Sequence, residues 1–225
     1  MATWAGAAVA VPVCLAASPY LARLTITVPD RENAAWYRGA TAGSRRMLVT
    51  AAAAVVLGAL AGGAAGLSAL LPAFVVLALI GTPLTVIDYE HHRLPNRLVY
   101  PIAIGAIVLL VVAAAVRHDW SDLLRAVEGG AAVFAVLFAI MLISPRSFGY
   151  GDVRLGGVLG LYLGFDSWAA VYYGILGGFV LGTVVAIGLL SARRADRKTP
   201  IAFGPMLLLG ALIVLAFDIT PSLTT

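Results

Sequence analysis

Apolar runs of membrane-spanning length recur from one end of this chain to the other, and no other feature restricts its fold as much. Eight are legible among the 225 residues: about 4–22, 47–67, 69–87, 98–116, 126–143, 155–165, 168–191 and 201–217. A helix needs ~20 apolar residues to cross ~30 Å of hydrocarbon, and most of these runs reach that length. The sixth is short, so it crosses a thin place, crosses in part, or is held by its neighbours. The chain is 61% hydrophobic with a mean hydropathy of +0.98, more apolar than a soluble domain of this size requires. The short alternating segments of an outer-membrane barrel are missing. The expected fold is all-α: one integral-membrane domain over residues 1–225 with about eight transmembrane helices. The longest polar stretch, 23–46, is too short for a core of its own and reads as a loop.

Charge gives the orientation. If the loop after the first run is cytoplasmic, 13 of the 15 basic residues fall on the cytoplasmic side. They are Arg23, Arg31, Arg38, Arg45, Arg46, Arg93, Arg97, Arg146, Arg154, Arg193, Arg194, Arg197 and Lys198. Arg117 and Arg125 fall outside. The acids split 6 to 5, so only the basic residues are biased, as the positive-inside rule requires. Both termini are then extracytoplasmic. No basic n-region precedes the first run, so no cleavable signal peptide is expected. The net charge of +4 is spread over several loops, which argues against a nucleic-acid partner and for a bilayer. The single cysteine, Cys14, excludes a disulfide framework and a cysteine-based zinc site. Frequent Ala and Gly would let helices approach closely.

Two aspartates stand where apolar runs meet basic, loop-like stretches. Asp88 follows Thr85-Val86-Ile87, and Asp152 lies within Gly149-Tyr150-Gly151-Asp152-Val153-Arg154-Leu155. A charge at a membrane edge needs a partner or a use. Asp88 either marks a helix end or turns inward toward a polar cavity; Leu94-Pro95-Asn96 then opens the next helix, since proline suits a first turn. Asp152 is either part of a flexible loop or is fixed by the glycine-rich helix that follows it. Gly149 and Gly151 leave room for a backbone or a substrate to come close. On charge counting both acids lie on the cytoplasmic side. Two carboxylates sharing a site can perform acid–base chemistry on water.

The other polar groups are less pointed. Glu90, His91 and His92 beside Asp88 suit zinc or iron by type, but adjacent histidines seldom converge on one ion, and interfacial side chains near headgroups are the simpler reading. No metal and no cofactor are expected. Arg193, Arg194, Arg197 and Lys198 read as an orienting, lipid-facing loop. No nucleophile triad or phosphate-binding glycine loop is present.

At these residues the chain resembles the type IV prepilin peptidases, a family of GxGD intramembrane aspartic proteases. Asp88 followed by Leu94-Pro95-Asn96 is similar to the family's Asp-x5-Leu-Pro-Asn/Asp. Gly149 to Leu155 is similar to Gly-x-Gly-Asp-x-Lys-Leu, with Arg154 where Lys is usual. Pro200-Ile201-Ala202-Phe203-Gly204-Pro205 is similar to the segment before the family's last helix. The resemblance covers roughly residues 47–217 and implies a catalytic helical core there. It implies Asp88 and Asp152 as the catalytic pair, with Leu94, Pro95, Asn96, Gly149, Gly151 and Arg154 as supporting residues. The implied substrates are prepilins or pseudopilins: a basic leader, a glycine at the cut, then an apolar helix. Bifunctional members carry a cytoplasmic insertion with paired CxxC motifs after the first helix, tied to N-methylation. Residues 23–46 contain no cysteine, so a peptidase-only form is expected, similar to shorter members that serve Flp/Tad-type pili or to reduced forms in other secretion or pilus systems.

Two other classes compete. In a proton- or cation-coupled transporter the two acids would relay or bind ions, although transporter sites usually lie at the midplane. A presenilin-like GxGD protease would pair Gly-x-Gly-Asp with Tyr-Asp and Pro-Ala-Leu, and here Asp88 precedes Tyr89 and no Pro-Ala-Leu occurs.

Overall fold

The computed structural model describes residues 4–29, 35–38, 40–144, 149–192 and 202–219. All regular structure among them is helical. The helices are α1 (Ala7–Thr27), α2 (Ser44–Ala65), α3 (Leu71–His91), α4 (Asn96–Arg117), α5 (Trp120–Ile143), α6 (Tyr150–Asp166), α7 (Trp168–Ser191) and α8 (Gly204–Phe217). Each corresponds to one expected apolar run. Six are long and apolar enough to cross a bilayer: α2, α3, α4, α5, α7, and α1 with the turn before it. α8 is a shorter apolar helix of 14 residues. The basic loop of Arg193, Arg194, Arg197 and Lys198 lies outside the described residues, as do Arg31, Arg146, Asp30, Glu32 and Asp196.

α6 departs most from the expected boundaries. It begins at Tyr150, not near residue 155, so the Gly-Tyr-Gly-Asp stretch is a first helical turn and not a loop. The cause is local. Gly149 takes the extended N-cap conformation, and the Asp152 side chain accepts its backbone N–H at 3.3 Å. That satisfies one of the donors a helix start otherwise leaves open.

The helices pack as neighbours in sequence, α1 on α2, α5 on α6 and α7 on α8, around α3. In α3, 61% of the apolar window is buried inside the protein, against 17% in α7. α3 is thus the central pillar, and α7 presents most of its surface outward. Small residues set the spacing. A Cβ at Gly160 of α6 would lie 2.7 Å from the Gly129 carbonyl oxygen of α5, and one at Gly164 would lie 2.6 Å from the Arg125 carbonyl. The backbones touch, as they do where dispersion rather than water exclusion holds helices together. Tyr162 joins α6 to α3: its hydroxyl donates to the Ala73 carbonyl at 3.0 Å, and its ring meets Phe74 edge-on at 5.2 Å.

Consecutive helices run in opposite directions. At one end Trp4 packs on Phe217, and Arg125 of α5 donates to the last carbonyls of α6, at 2.8 Å from Gly164 and Phe165 and 2.7 Å from Asp166. These are the carbonyls a helix leaves unpaired, and a cation suits that end of the dipole. Asp122 holds the Arg125 guanidinium at 2.7 Å. The two short helices, α6 and α8, both finish at this end. They rise only about 25 and 21 Å, so their N-termini stop below the level that α3 reaches by running on past Asp88 to His91. A well results at the opposite end.

Gly160→Val should loosen the α5–α6 contact. Its added carbons would meet backbone, which cannot rotate away, so a loss of about 2–3 kcal/mol is expected. A thermal melt in detergent would show it, and an unshifted midpoint would contradict this packing.

Candidate active site

Asp88 sits one turn before the end of α3. His92 closes that helix in the left-handed conformation (φ 49°), its N–H bonding the Asp88 carbonyl at 2.8 Å. Asp88 is 4% exposed. Its Oδ2 accepts the backbone N–H of Gly204, the first residue of α8, at 3.0 Å. A helix start offers unpaired N–H groups and the positive end of a dipole, which suits a carboxylate. Pro205 follows inside the first turn, where its missing N–H is harmless. Phe203 anchors this start, its ring 4.9 Å from Phe179 of α7. Pro200 and Ile201 of the same motif lie outside the described residues.

Asp152 occupies the matching place on α6. Its Oδ2 is turned back to the Gly149 N–H. Its Oδ1 is buried and finds no hydrogen-bond partner among the described residues. A buried acceptor left open is uncommon and calls for an explanation. Asp88 and Asp152 line one cavity of about 1290 Å³. Each acid is therefore held at a helix N-terminus in the well left by the short helices.

Leu94 joins the pieces. A Cβ on Gly151 would lie 2.8 Å from the Cβ of Leu94, and one on Gly204 would lie 3.2 Å from its methyl groups and 2.9 Å from Asp88 Oδ2. The room beside Gly151, assigned from sequence to an approaching backbone or substrate, is taken by the protein's own Leu94. The room beside Gly149 faces Asp152 Oδ2, 3.1 Å from where a Cβ would sit. Pro95 caps α4 in extended geometry and Asn96 opens it. Asn96 Oδ1 accepts from Arg154 Nη1, so the α3–α4 turn is tied to α6. The Arg154 guanidinium lies over the rings of Tyr150 at 4.1 Å and Tyr100 at 5.4 Å. A planar cation stacks and donates at once, which an ammonium does less well.

Glu90, His91, His92, Arg93 and Arg97 also line the cavity. Glu90 is paired with Arg46 at 2.8 Å. Among the described residues no three His, Cys, Asp or Glu side chains converge as a metal site. Two contributors escaped sequence reasoning. Gly204 appears there only within a motif, and a Phe-Gly-Pro helix start was the available signal. The end of α1 supplies Ile26, Val28 and Pro29 to the cavity, for which the sequence has no local signal.

A bundle of apolar helices, six of them long enough to cross a bilayer, is the architecture of a polytopic membrane protein, and here two carboxylates share one well. The family model for the type IV leader peptidase family matches residues 73–187. The chain belongs to that family. It is 32% identical over 174 residues to a prepilin leader peptidase/N-methyltransferase of Aeromonas salmonicida (strain A449), covering 75% of this chain and 55% of the relative. It is 31% identical over 134 residues to the protein of that name in Pseudomonas aeruginosa, covering 59% and 44%, and 30% identical over 140 residues to that of Escherichia coli (strain K12), covering 60% and 58%. The chain thus spans about half the length of the curated relatives it matches. No solved structure matches it.

Leu94→Ala should open a gap between the starts of α6 and α8. A loss of about 2 kcal/mol is expected for this half-buried leucine, read as a lowered melting midpoint in detergent. An unchanged midpoint would mean that Leu94 does not hold the two starts together.

Proposed function

We propose that this protein is an aspartic endopeptidase that removes the leader from prepilin-like membrane proteins at the cytoplasmic face of a bacterial inner membrane. The observation that carries this reading is the shared cavity of Asp88 and Asp152, with each carboxylate held at a helix start and Asp152 Oδ1 without a partner among the described residues. The names of the relatives point the same way, since each is called a prepilin leader peptidase/N-methyltransferase. The substrate is a membrane protein with a basic leader, a glycine at the cut and an apolar helix. Its helix lies beside α3 to α6 and its leader stays near the basic surface.

Two close carboxylates do not both ionise cheaply, so the pair works with one proton between its members. The ionised acid takes a proton from water as the oxygen attacks the scissile carbonyl carbon. The protonated acid gives its proton to the carbonyl oxygen. Collapse of the tetrahedral diol returns a hydroxyl proton to the acid that gave one and breaks the C–N bond, and the leaving amine takes the proton that the other acid drew from water. Neither metal nor cofactor enters this scheme. Peptide hydrolysis is the only activity we assign. The relatives' second named activity, N-methylation, is left out because residues 23–46 contain no cysteine, unlike the paired-cysteine insertion of the bifunctional members.

The well then faces the cytoplasm, and the end bearing Arg117 and Arg125 faces outward. The basic bias supports this orientation, with both termini extracytoplasmic if all eight helices cross. In spheroplasts, Ser121→Cys should react with a membrane-impermeant maleimide and Arg93→Cys should not; the reverse pattern would invert the topology.

Asp88→Asn and Asp152→Asn, made separately in purified protein, should each lower the rate of leader cleavage roughly 10²–10⁴-fold, the usual contribution of general acid–base catalysis. Full processing by either variant would remove the dyad from the mechanism. The rate of the unsubstituted protein should follow a bell-shaped pH profile, one limb for each protonation state of the pair.

A further inference from the structure

The α1–α2 hairpin precedes the region that matches the family model, yet it forms part of the cavity. Ile26, Val28 and Pro29, at the end of α1, line the same space as Asp88 and Asp152. One connection explains how this wall keeps its place. Arg46, near the start of α2, donates through Nη1 to Thr25 Oγ1 of α1 at 2.8 Å and meets Glu90 Oε2 of α3 at 2.8 Å. Thr25 is fully buried, and its hydroxyl in turn donates to the Ala22 carbonyl at 2.8 Å. Arg46 is itself steadied by Thr50, whose hydroxyl donates to the Arg46 carbonyl at 2.9 Å. One guanidinium therefore ties three helices together, and its partner on α3, Glu90, lies two residues after Asp88. Its side chain is only 28% exposed, so the pair is shielded more than a surface ion pair.

We infer that Arg46 is a positioning residue, and that it seats the end of α1 as an apolar wall that selects the substrate side chain beside the scissile bond. The inference rests on the peptidase reading and adds a specificity element to it. The cavity is chemically two-sided. The α3–α4 turn and the start of α6 present acids, histidines, an amide and arginines among Ile87, Leu94, Pro95 and Tyr150, whereas the α1 side presents Ile26 and Pro29 with the buried Val28 behind them and offers only apolar side chains. An apolar side chain laid against α1 loses no hydrogen bond there, and a polar one leaves its own groups unpaired. Without Arg46 the hairpin keeps its packing on α3 but loses its fixed height against Glu90. Arg46 touches neither aspartate, so its loss falls on substrate fit and not on the acid–base step.

The test uses the full chain, purified in detergent, and two peptides with a basic leader, a glycine and an apolar helix. They differ only in the residue after the cut, Leu in one and Asn in the other. The unsubstituted protein should cleave the Leu peptide with the higher kcat/KM. Arg46→Gln should raise KM for the Leu peptide roughly tenfold, with kcat within about twofold, and shrink the Leu-to-Asn preference. Arg46→Glu combined with Glu90→Arg should recover part of the preference, which a general loss of stability would not. Ile26→Asn, at an exposed position, should narrow or invert the preference even if the Arg46 variants fail to fold. An unchanged preference in Ile26→Asn would overturn the wall. An unchanged KM in a folded Arg46→Gln protein would overturn the positioning role. Both results leave the peptidase reading intact, because that reading fails separately if Asp88→Asn or Asp152→Asn still cleaves the Leu peptide. Cleavage of neither peptide by the unsubstituted chain would overturn the inference together with that reading.

Discussion

A carboxylate placed below the level of a membrane surface has to find hydrogen-bond donors within the protein, and this structure supplies them from helix starts. Asp88 takes the N–H of Gly204 at the start of α8, and Asp152 takes the N–H of Gly149 at the start of α6. Much of the rest follows from keeping these two starts at one depth and side by side. Leu94 fills the space between them, which is why the neighbouring positions in both helices are glycine. Arg154 and Asn96 fix the turn that carries Leu94. The far ends must be fixed as well, or the starts would drift. Arg125 does this for α6 by binding three of its last carbonyls.

Helix length turns that arrangement into a cavity. α6 and α8 are the shortest α-helices among the described residues, and both end with their neighbours at the far side. The missing length therefore appears at one end, between taller walls from α1, α3 and α4. Water can enter such a well without crossing hydrocarbon, which the proposed hydrolysis requires. The glycines of α5 and α6 belong to the same account. Backbone contact at Gly129, Gly160 and Gly164 lets a short, weakly apolar helix be held by its neighbours instead of by lipid.

The sequence reveals what is local. Eight apolar runs stand out because hydropathy is read from neighbouring residues, and each returns as a helix, six of them long and apolar enough to cross a bilayer. Asp88 and Asp152 stand out because a charge beside such a run is rare. Pairing across long distances in the chain is not written in any window of sequence. The Gly204–Asp88 hydrogen bond spans 116 residues, the Arg154–Asn96 bond 58 and the Arg46–Thr25 bond 21. The start of α6 also escapes a reading by hydropathy, because its first turn is capped by Asp152 and is not apolar. Gly151 looks open in sequence for want of a side chain, and only the fold places Leu94 in that space.

How cations are distributed around the site bears on its chemistry. Several arginines lie at this end, yet among the described residues none forms an ion pair with Asp88 or Asp152. Arg46 is committed to Glu90 and Thr25, and Arg154 to Asn96 and the faces of two tyrosines. A direct salt bridge would favour the ionised form of whichever acid it met. Neutral N–H donors stabilise a carboxylate less strongly and bind one oxygen at a time. A pair held this way can keep one proton between its members, which is the condition the proposed mechanism sets: one acid accepts from water while the other donates to a carbonyl. The same arginines can then set the orientation of the chain in the membrane without silencing the acids beside them.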